Sequence, residues 1–129
     1  AIEIPRQNLD LTGSYYDTMF DGGQLIPKNY FGANPHATYL HGNNPLVKIR
    51  NEDAPEDKKV LIIRDSCAHT FASFMACSFK EVDVMDLRSY DGISPARYAE
   101  ETEPDIVIVM YYQPNAAREA VFNFMWGAE

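Results

Sequence analysis

The stretch Lys58-Lys59-Val60-Leu61-Ile62-Ile63-Arg64-Asp65-Ser66 decides the fold. Its short, unbroken apolar run Val60-Leu61-Ile62-Ile63 predicts a strand buried on both faces. Asp65-Ser66 behind it offers a helix N-cap, and Phe71, Phe74, Met75 and Phe79 follow at helical spacing. Glu81–Asp86 (EVDVMD) reads as a second strand. Ser94-Pro95 marks the next helix start, with Pro at the first helical position and Ile93 and Tyr98 placed as a hydrophobic staple. That helix stops by Pro104, and Ile106–Met110 forms a third strand, apolar throughout. Asn115 is placed to cap a last helix in which Ala117, Val121, Phe124 and Met125 share a face. The order β-α-β-α-β-α with unbroken apolar strands implies an α/β fold with parallel pairing and right-handed crossovers. In such sheets, chemistry sits beyond the carboxyl ends of the strands. Those ends are Asp65-Ser66, Asp86-Leu87-Arg88 and Tyr111-Tyr112-Gln113.

Outward from this core the pattern changes. Residues 1–53 are rich in turn formers (Thr12-Gly13-Ser14, Asp21-Gly22-Gly23, Gly32-Ala33-Asn34-Pro35, Gly42-Asn43-Asn44-Pro45) with aromatic pieces Tyr15-Tyr16 and Tyr30-Phe31 between them. Short strands and ordered loops are expected there, with Asp21-Gly22-Gly23 as a hairpin tip. Pro45–Asn51 alternates apolar and polar, like a strand with one face exposed, and Asn51–Asp57 reads as an acidic surface loop. The whole chain, 1–129, is expected to form a single domain: a loop- and short-strand-rich part, 1–53, and a regular part, 54–129.

Composition narrows the function classes. The 129 residues carry 11 Lys+Arg against 19 Asp+Glu, a formal charge of −8, with 46% hydrophobic residues. That is globular composition, and its acidity argues against a nucleic-acid partner, since no basic stripe offsets it. No apolar run approaches the roughly 20 residues that cross a bilayer. The two cysteines, Cys67 and Cys77, make no disulfide framework and no zinc spacing, and no other ligand cluster suggests a metal or cofactor. Asp65 and Asp86 end consecutive strands without an adjacent second acid, and no Lys follows Ile106–Met110, which argues against a phospho-acceptor domain. The chain starts Ala1-Ile2-Glu3 without an initiator Met, and is read as trimmed.

Ser66 stands at the strand-to-helix junction, where a hydroxyl faces the crevice above the sheet. The first N–H groups of the following helix, from Cys67 and His69, are oxyanion donors in this reading, and Ser66 is the acyl-transfer nucleophile. The alternative is that Asp65 or Ser66 simply caps the helix. A serine nucleophile needs a base. His69 lies three residues on with no evident orienting carboxylate, and reads also as an exposed or edge histidine. His36 and His41 either sit in the loop layer near the site, where His41 is a candidate site residue, or are surface or hydrogen-bonded loop residues, and no Asp-x-x-His occurs. Gly42, Asn43 and Asn44 are either oxyanion or substrate contacts or ordinary turn residues. Arg88 either pairs with Asp86 or binds an anionic substrate group.

The blocks Gly42-Asn43-Asn44-Pro45-Leu46-Val47, Val60-Leu61-Ile62-Ile63-Arg64-Asp65-Ser66, Val84-Met85-Asp86-Leu87-Arg88 and Pro104-Asp105-Ile106-Val107-Ile108-Val109 resemble the DHHW family of bacterial envelope proteins, in the SGNH-hydrolase superfamily. More distantly, they are similar to the SGNH-like domains of alginate O-acetyltransferases. The resemblance spans Leu40 to Tyr112. It implies a three-layer α/β/α domain with a mainly parallel sheet, flavodoxin-like in arrangement, and Ser66 as nucleophile. It further implies a serine-dependent carbohydrate esterase or O-acyltransferase, extracytoplasmic, acting on a carbohydrate or small acyl-ester substrate. Arg64 stands where broader SGNH enzymes have Gly. The Asp-His-His-Trp motif that names the family lies upstream of the serine block and has no counterpart in residues 1–65. The expectation is therefore a C-terminal portion of the domain, with base and orienter upstream of residue 1 and this stretch alone inactive. The alternative is a non-catalytic carbohydrate-binding or scaffold domain that keeps the fold.

Overall fold

A computed structural model of the chain describes residues 9–11 and 38–116. Five strands, β1 (Leu9–Leu11), β2 (Leu46–Arg50), β3 (Glu56–Arg64), β4 (Phe79–Asp86) and β5 (Ile106–Met110), form one sheet in the order β1-β2-β4-β3-β5. Three helices, α1 (His69–Ser78), α2 (Pro95–Thr102) and the short α3 (Gln113–Ala116), complete these residues, and a 3-10 turn over Ser66–Ala68 leads into α1. The fold class is α/β. The hairpin expected at Asp21-Gly22-Gly23, the aromatic pairs Tyr15-Tyr16 and Tyr30-Phe31, His36, and the helical face Ala117, Val121, Phe124 and Met125 lie outside the described residues.

The strands β3, β4 and β5 run parallel, as their apolar runs predict: Val60 pairs with Val82 on one side and with Ile106 on the other. The sheet is nonetheless mixed, because β2 runs antiparallel to β4 with Leu46 opposite Met85. Alternation along β2 was compatible with either direction. Its reversal matters for the site, since the residues that precede β2 now arrive at the carboxyl ends of the parallel strands. Asp86 donates its N–H to the Pro45 carbonyl at 2.9 Å there.

One helix lies against each face. Val47, Ile49, Val60, Ile62, Val82 and Val84 pack with Leu40 and with Ala72 and Ala76 of α1. On the other face Leu46, Leu61, Ile63 and Met85 pack with Tyr98 of α2 and with Ile93 just before it. Each such aliphatic side chain contributes roughly 1.5–3 kcal/mol of burial, an upper figure for a real unfolded chain. The staple reading of Ile93 and Tyr98 thus places both in one cluster. Ser94 caps α2 by accepting from the Arg97 N–H at 3.4 Å, with Pro95 next to it at the start of the helix.

Four local expectations need correction. The most buried residues of α1 are His69, Ala72, Ser73 and Ala76; Phe71 and Met75 pack partly buried against the same cluster, whereas Phe74 is 59% exposed and Phe79 already belongs to β4. Small residues win because they let the helix approach the sheet. Asn51–Asp57 is only in part a loop, for β3 begins at Glu56, and a register shift between Glu56 and Lys59 absorbs its polar start. The strand β5 is apolar yet not buried on both faces: it is the sheet's edge, with Val107 and Val109 each 49% exposed. Asn115 falls inside α3, so it does not cap it.

Candidate active site

The carboxyl ends of β3, β4 and β5 converge on a buried charge cluster beneath Ser66. Register places Arg64 directly opposite Asp86, and the two side chains are 0% and 1% exposed. Arg64 donates from Nη1 to Asp86 Oδ2 at 3.2 Å and to the Asp65 carbonyl at 3.4 Å. Its Nε and Nη2 are buried without a hydrogen-bond partner among the described residues. Burial pulls the Arg64 pKa down, and Asp86 opposes that pull. Arg88 approaches Asp86 from the solvent side in a fork, Nε to Oδ1 at 2.9 Å and Nη2 to Oδ2 at 2.6 Å. Hydrogen bonding to Asp86 raises the Arg88 pKa. Of the two readings of Arg88, the intrachain pair is therefore formed.

Asp65 is fully buried and joins two strand ends. One carboxylate oxygen accepts from the Cys67 N–H at 2.9 Å, and the other accepts from the Tyr112 N–H at 2.9 Å. The first contact caps the turn carrying Ser66; the second holds the end of β5 beside it. Of the two cap candidates, Asp65 fills the role. That leaves the Cys67 N–H engaged, a correction to its reading as an oxyanion donor, because a buried carboxylate two residues back competes for it more strongly than a transient ligand oxygen. Burial and the Asp65 carboxylate also push the exposed Cys67 thiol pKa up. Tyr111 packs against the cluster, its hydroxyl pushed up to about 12 by burial and then by Asp86 and Asp65.

Ser66 is half-buried, and no hydrogen bond of its hydroxyl is found among the described residues. His69 does not face it as a base. Its Nδ1 lies 2.9 Å from the Ser66 carbonyl oxygen and its Nε2 3.1 Å from the Gly42 carbonyl oxygen. The residue is 1% exposed, so the expectation of an exposed or edge histidine fails: His69 lies on the inner face of α1. Burial first, and then the Arg64 charge, bring its pKa down to about 4, so the ring is neutral at pH 7.

The loop before β2 stands next to this turn. Asn44 is buried, and its amide donates to the Leu40 carbonyl at 3.0 Å and more loosely to that of His41 at 3.5 Å, which is turn chemistry. Asn43 is exposed. Gly42 has φ 95°, and Leu40 and His41 are also left-handed at 53° and 54°. His41 Nε2 is buried without a partner among the described residues. Arg64 is the residue whose weight in the site the residue pattern did not convey. Its signal was an arginine ending an apolar run, with an aspartate ending the next.

No protein-family model matches the sequence, and no curated protein sequence matches it. Solved structures do. The chain is similar to Bacillus cereus PatB1, solved with a sulfonyl adduct, at 27% identity and a TM-score of 0.60, over 68% of this chain and 29% of that one. A second structure of Bacillus cereus PatB1 matches at 26% identity and a TM-score of 0.59, over 66% of this chain and 28% of that one. A DHHW family protein from Eubacterium siraeum is similar in fold, at 22% identity with a TM-score of 0.61, over 74% of this chain and 30% of that one. The chain spans less than a third of the length of each of these proteins.

Proposed function

We propose that this chain carries the nucleophile block of a serine-dependent acyl-transferring domain, with Ser66 as the attacking residue. The observation that carries the reading is the placement of Ser66: a hydroxyl free of hydrogen bonds to the described residues, on a capped turn at the carboxyl end of β3, which lies between β4 and β5. Helices leave β3 and β4 toward opposite faces, so this end of the sheet is where a ligand crevice opens in an open α/β fold. The likeness to PatB1 and to a DHHW family protein supports the same direction. A helix on each face supports the three-layer reading of the domain.

In the mechanism, the Ser66 Oγ attacks an ester carbonyl while a base takes its proton. The tetrahedral intermediate collapses to an acyl-Ser66 ester, and the leaving alkoxide takes a proton. Water or a sugar hydroxyl then attacks the acyl-enzyme and restores the serine. The buried pairs beneath the turn act on position, since Asp65 and Asp86 fix the strand ends from which Ser66 projects. Both ring nitrogens of His69 face backbone carbonyls, so the base is expected from a residue other than His69. The substrate is a carbohydrate ester outside the cytoplasm. Tyr112, 58% exposed and with its N–H tied to Asp65, offers an aromatic surface for a sugar ring beside the nucleophile.

The test is turnover of an acetyl ester by the full-length protein, with and without a glycan acceptor. Release or transfer of acetate that is lost in Ser66→Ala supports the reading. Glycan binding without turnover in either protein would favour the non-catalytic carbohydrate-binding domain.

A further inference from the structure

We propose that His69 is a positioning residue of the Ser66 site: its imidazole clamps the turn that carries the nucleophile to the loop that precedes β2. The inference rests on the nucleophile reading of Ser66 and adds a role that the reading does not require.

The clamp is visible as geometry. One ring nitrogen lies 2.9 Å from the carbonyl oxygen of Ser66 itself, and the other lies 3.1 Å from that of Gly42, 27 residues earlier in the chain. The His69 side chain is itself buried, on the inner face of α1. The loop being held is not one that holds itself in a relaxed shape. Leu40, His41 and Gly42 are left-handed in succession, and side chains with a Cβ adopt that backbone only where surrounding contacts enforce it. Asn44 fastens the loop internally through the Leu40 carbonyl, and the Gly42 N–H donates to the Tyr39 carbonyl at 3.1 Å. The imidazole runs from this loop to the nucleophile's turn.

A neutral ring carries one N–H, so it donates to one of the two carbonyls at a time, and its buried body fills the space between the turn and the loop. Both ring nitrogens lie against backbone carbonyl oxygens and not against the Ser66 hydroxyl. The ring can hold the Ser66 peptide at a fixed angle to the crevice. Attack on a carbonyl demands such an angle, and misplacement of the nucleophile is felt in the rate of the chemical step more than in ligand retention.

The experiment follows modification of Ser66 in the full-length protein by phenylmethanesulfonyl fluoride, with the adduct mapped by mass and the saturating rate separated from the half-saturating concentration. His69→Phe is expected to slow the saturating rate at least about tenfold with little change in half-saturation. His69→Gln, which keeps one donor, is expected to recover part of it. Ser73→Ala, which removes only the hydroxyl that donates to the His69 carbonyl within α1, is expected to label as the unaltered protein does. An unaltered rate in His69→Phe overturns the proposal, and so does equal slowing in Ser73→Ala. Should His69→Phe fail to fold, Gly42→Ala decides, because a Cβ at φ 95° displaces the carbonyl that the ring grips. Slowed labelling there supports the clamp, and an unaltered rate overturns it. No label on Ser66 in the unaltered protein overturns the nucleophile reading and the clamp with it, whereas label that is indifferent to His69 overturns the clamp alone.

Discussion

Arg64 and Asp86 face each other across β3 and β4, Nη1 to Oδ2 at 3.2 Å, with neither side chain open to water. Two charges removed from solvent in this way hold only while both are present, because the cost of desolvation remains when the partner leaves. Asp86 carries more of this burden than Arg64, since it also receives the fork of Arg88.

Asp86→Asn is therefore expected to destabilise the fold by about 3–5 kcal/mol, the cost of stranding the buried Arg64 guanidinium. Arg64→Met is expected to cost less, because Asp86 keeps its bidentate partner and an apolar chain fills the space. Urea denaturation followed by circular dichroism separates the two. Equal losses would show that the pair is not buried as described.

Acid should weaken the fold through His69. Its folded pKa of about 4 lies below the ordinary 6.5, so the unfolded chain binds the proton more readily. The stability tied to the neutral ring is whole above about pH 6.5 and is lost as the pH falls toward 4, a change of about 3 kcal/mol across that window. Subtracting the same curve for His69→Gln isolates the effect. A flat difference between pH 7 and pH 4 would contradict the neutral, buried ring.

Residues 1–129 by themselves are expected to hydrolyse p-nitrophenyl acetate no faster than background. A serine hydroxyl without a base is a weak nucleophile, and both His69 nitrogens face backbone carbonyls. Turnover lost on Ser66→Ala would contradict this and point to His41 or His36 as base.

Much of the parallel block was legible because its signals are local. Val60–Ile63, Ser94-Pro95 and Ile106–Met110 each mark an element within a few residues, and the structure has strands or a helix start at all three. Direction and depth were not local. Alternation in Leu46–Arg50 is the same whichever way β2 runs, yet its antiparallel pairing is what delivers the Gly42 loop to the site. Apolar spacing in α1 marks Phe71 and Met75, which pack on the core, together with Phe74, which does not, while the closest packing on the sheet falls to Ala72 and Ala76. The Ile106–Met110 run is apolar throughout, but edge position in a sheet depends on strand order, which no window of residues encodes. At the site, Ser66 and the Asp86–Arg88 pair stood out at the strand ends. The histidine's double carbonyl contact and the burial of Arg64 depend on residues 22 and 27 positions away, and only the assembled fold shows them.

The central claim is that Ser66 is a nucleophile, and the most direct measurement is to treat the folded, full-length protein with a fluorophosphonate and map the adduct by peptide mass. The account predicts a single covalent label on Ser66 that disappears in Ser66→Ala. A folded protein whose Ser66 stays unlabelled at saturating reagent would contradict it.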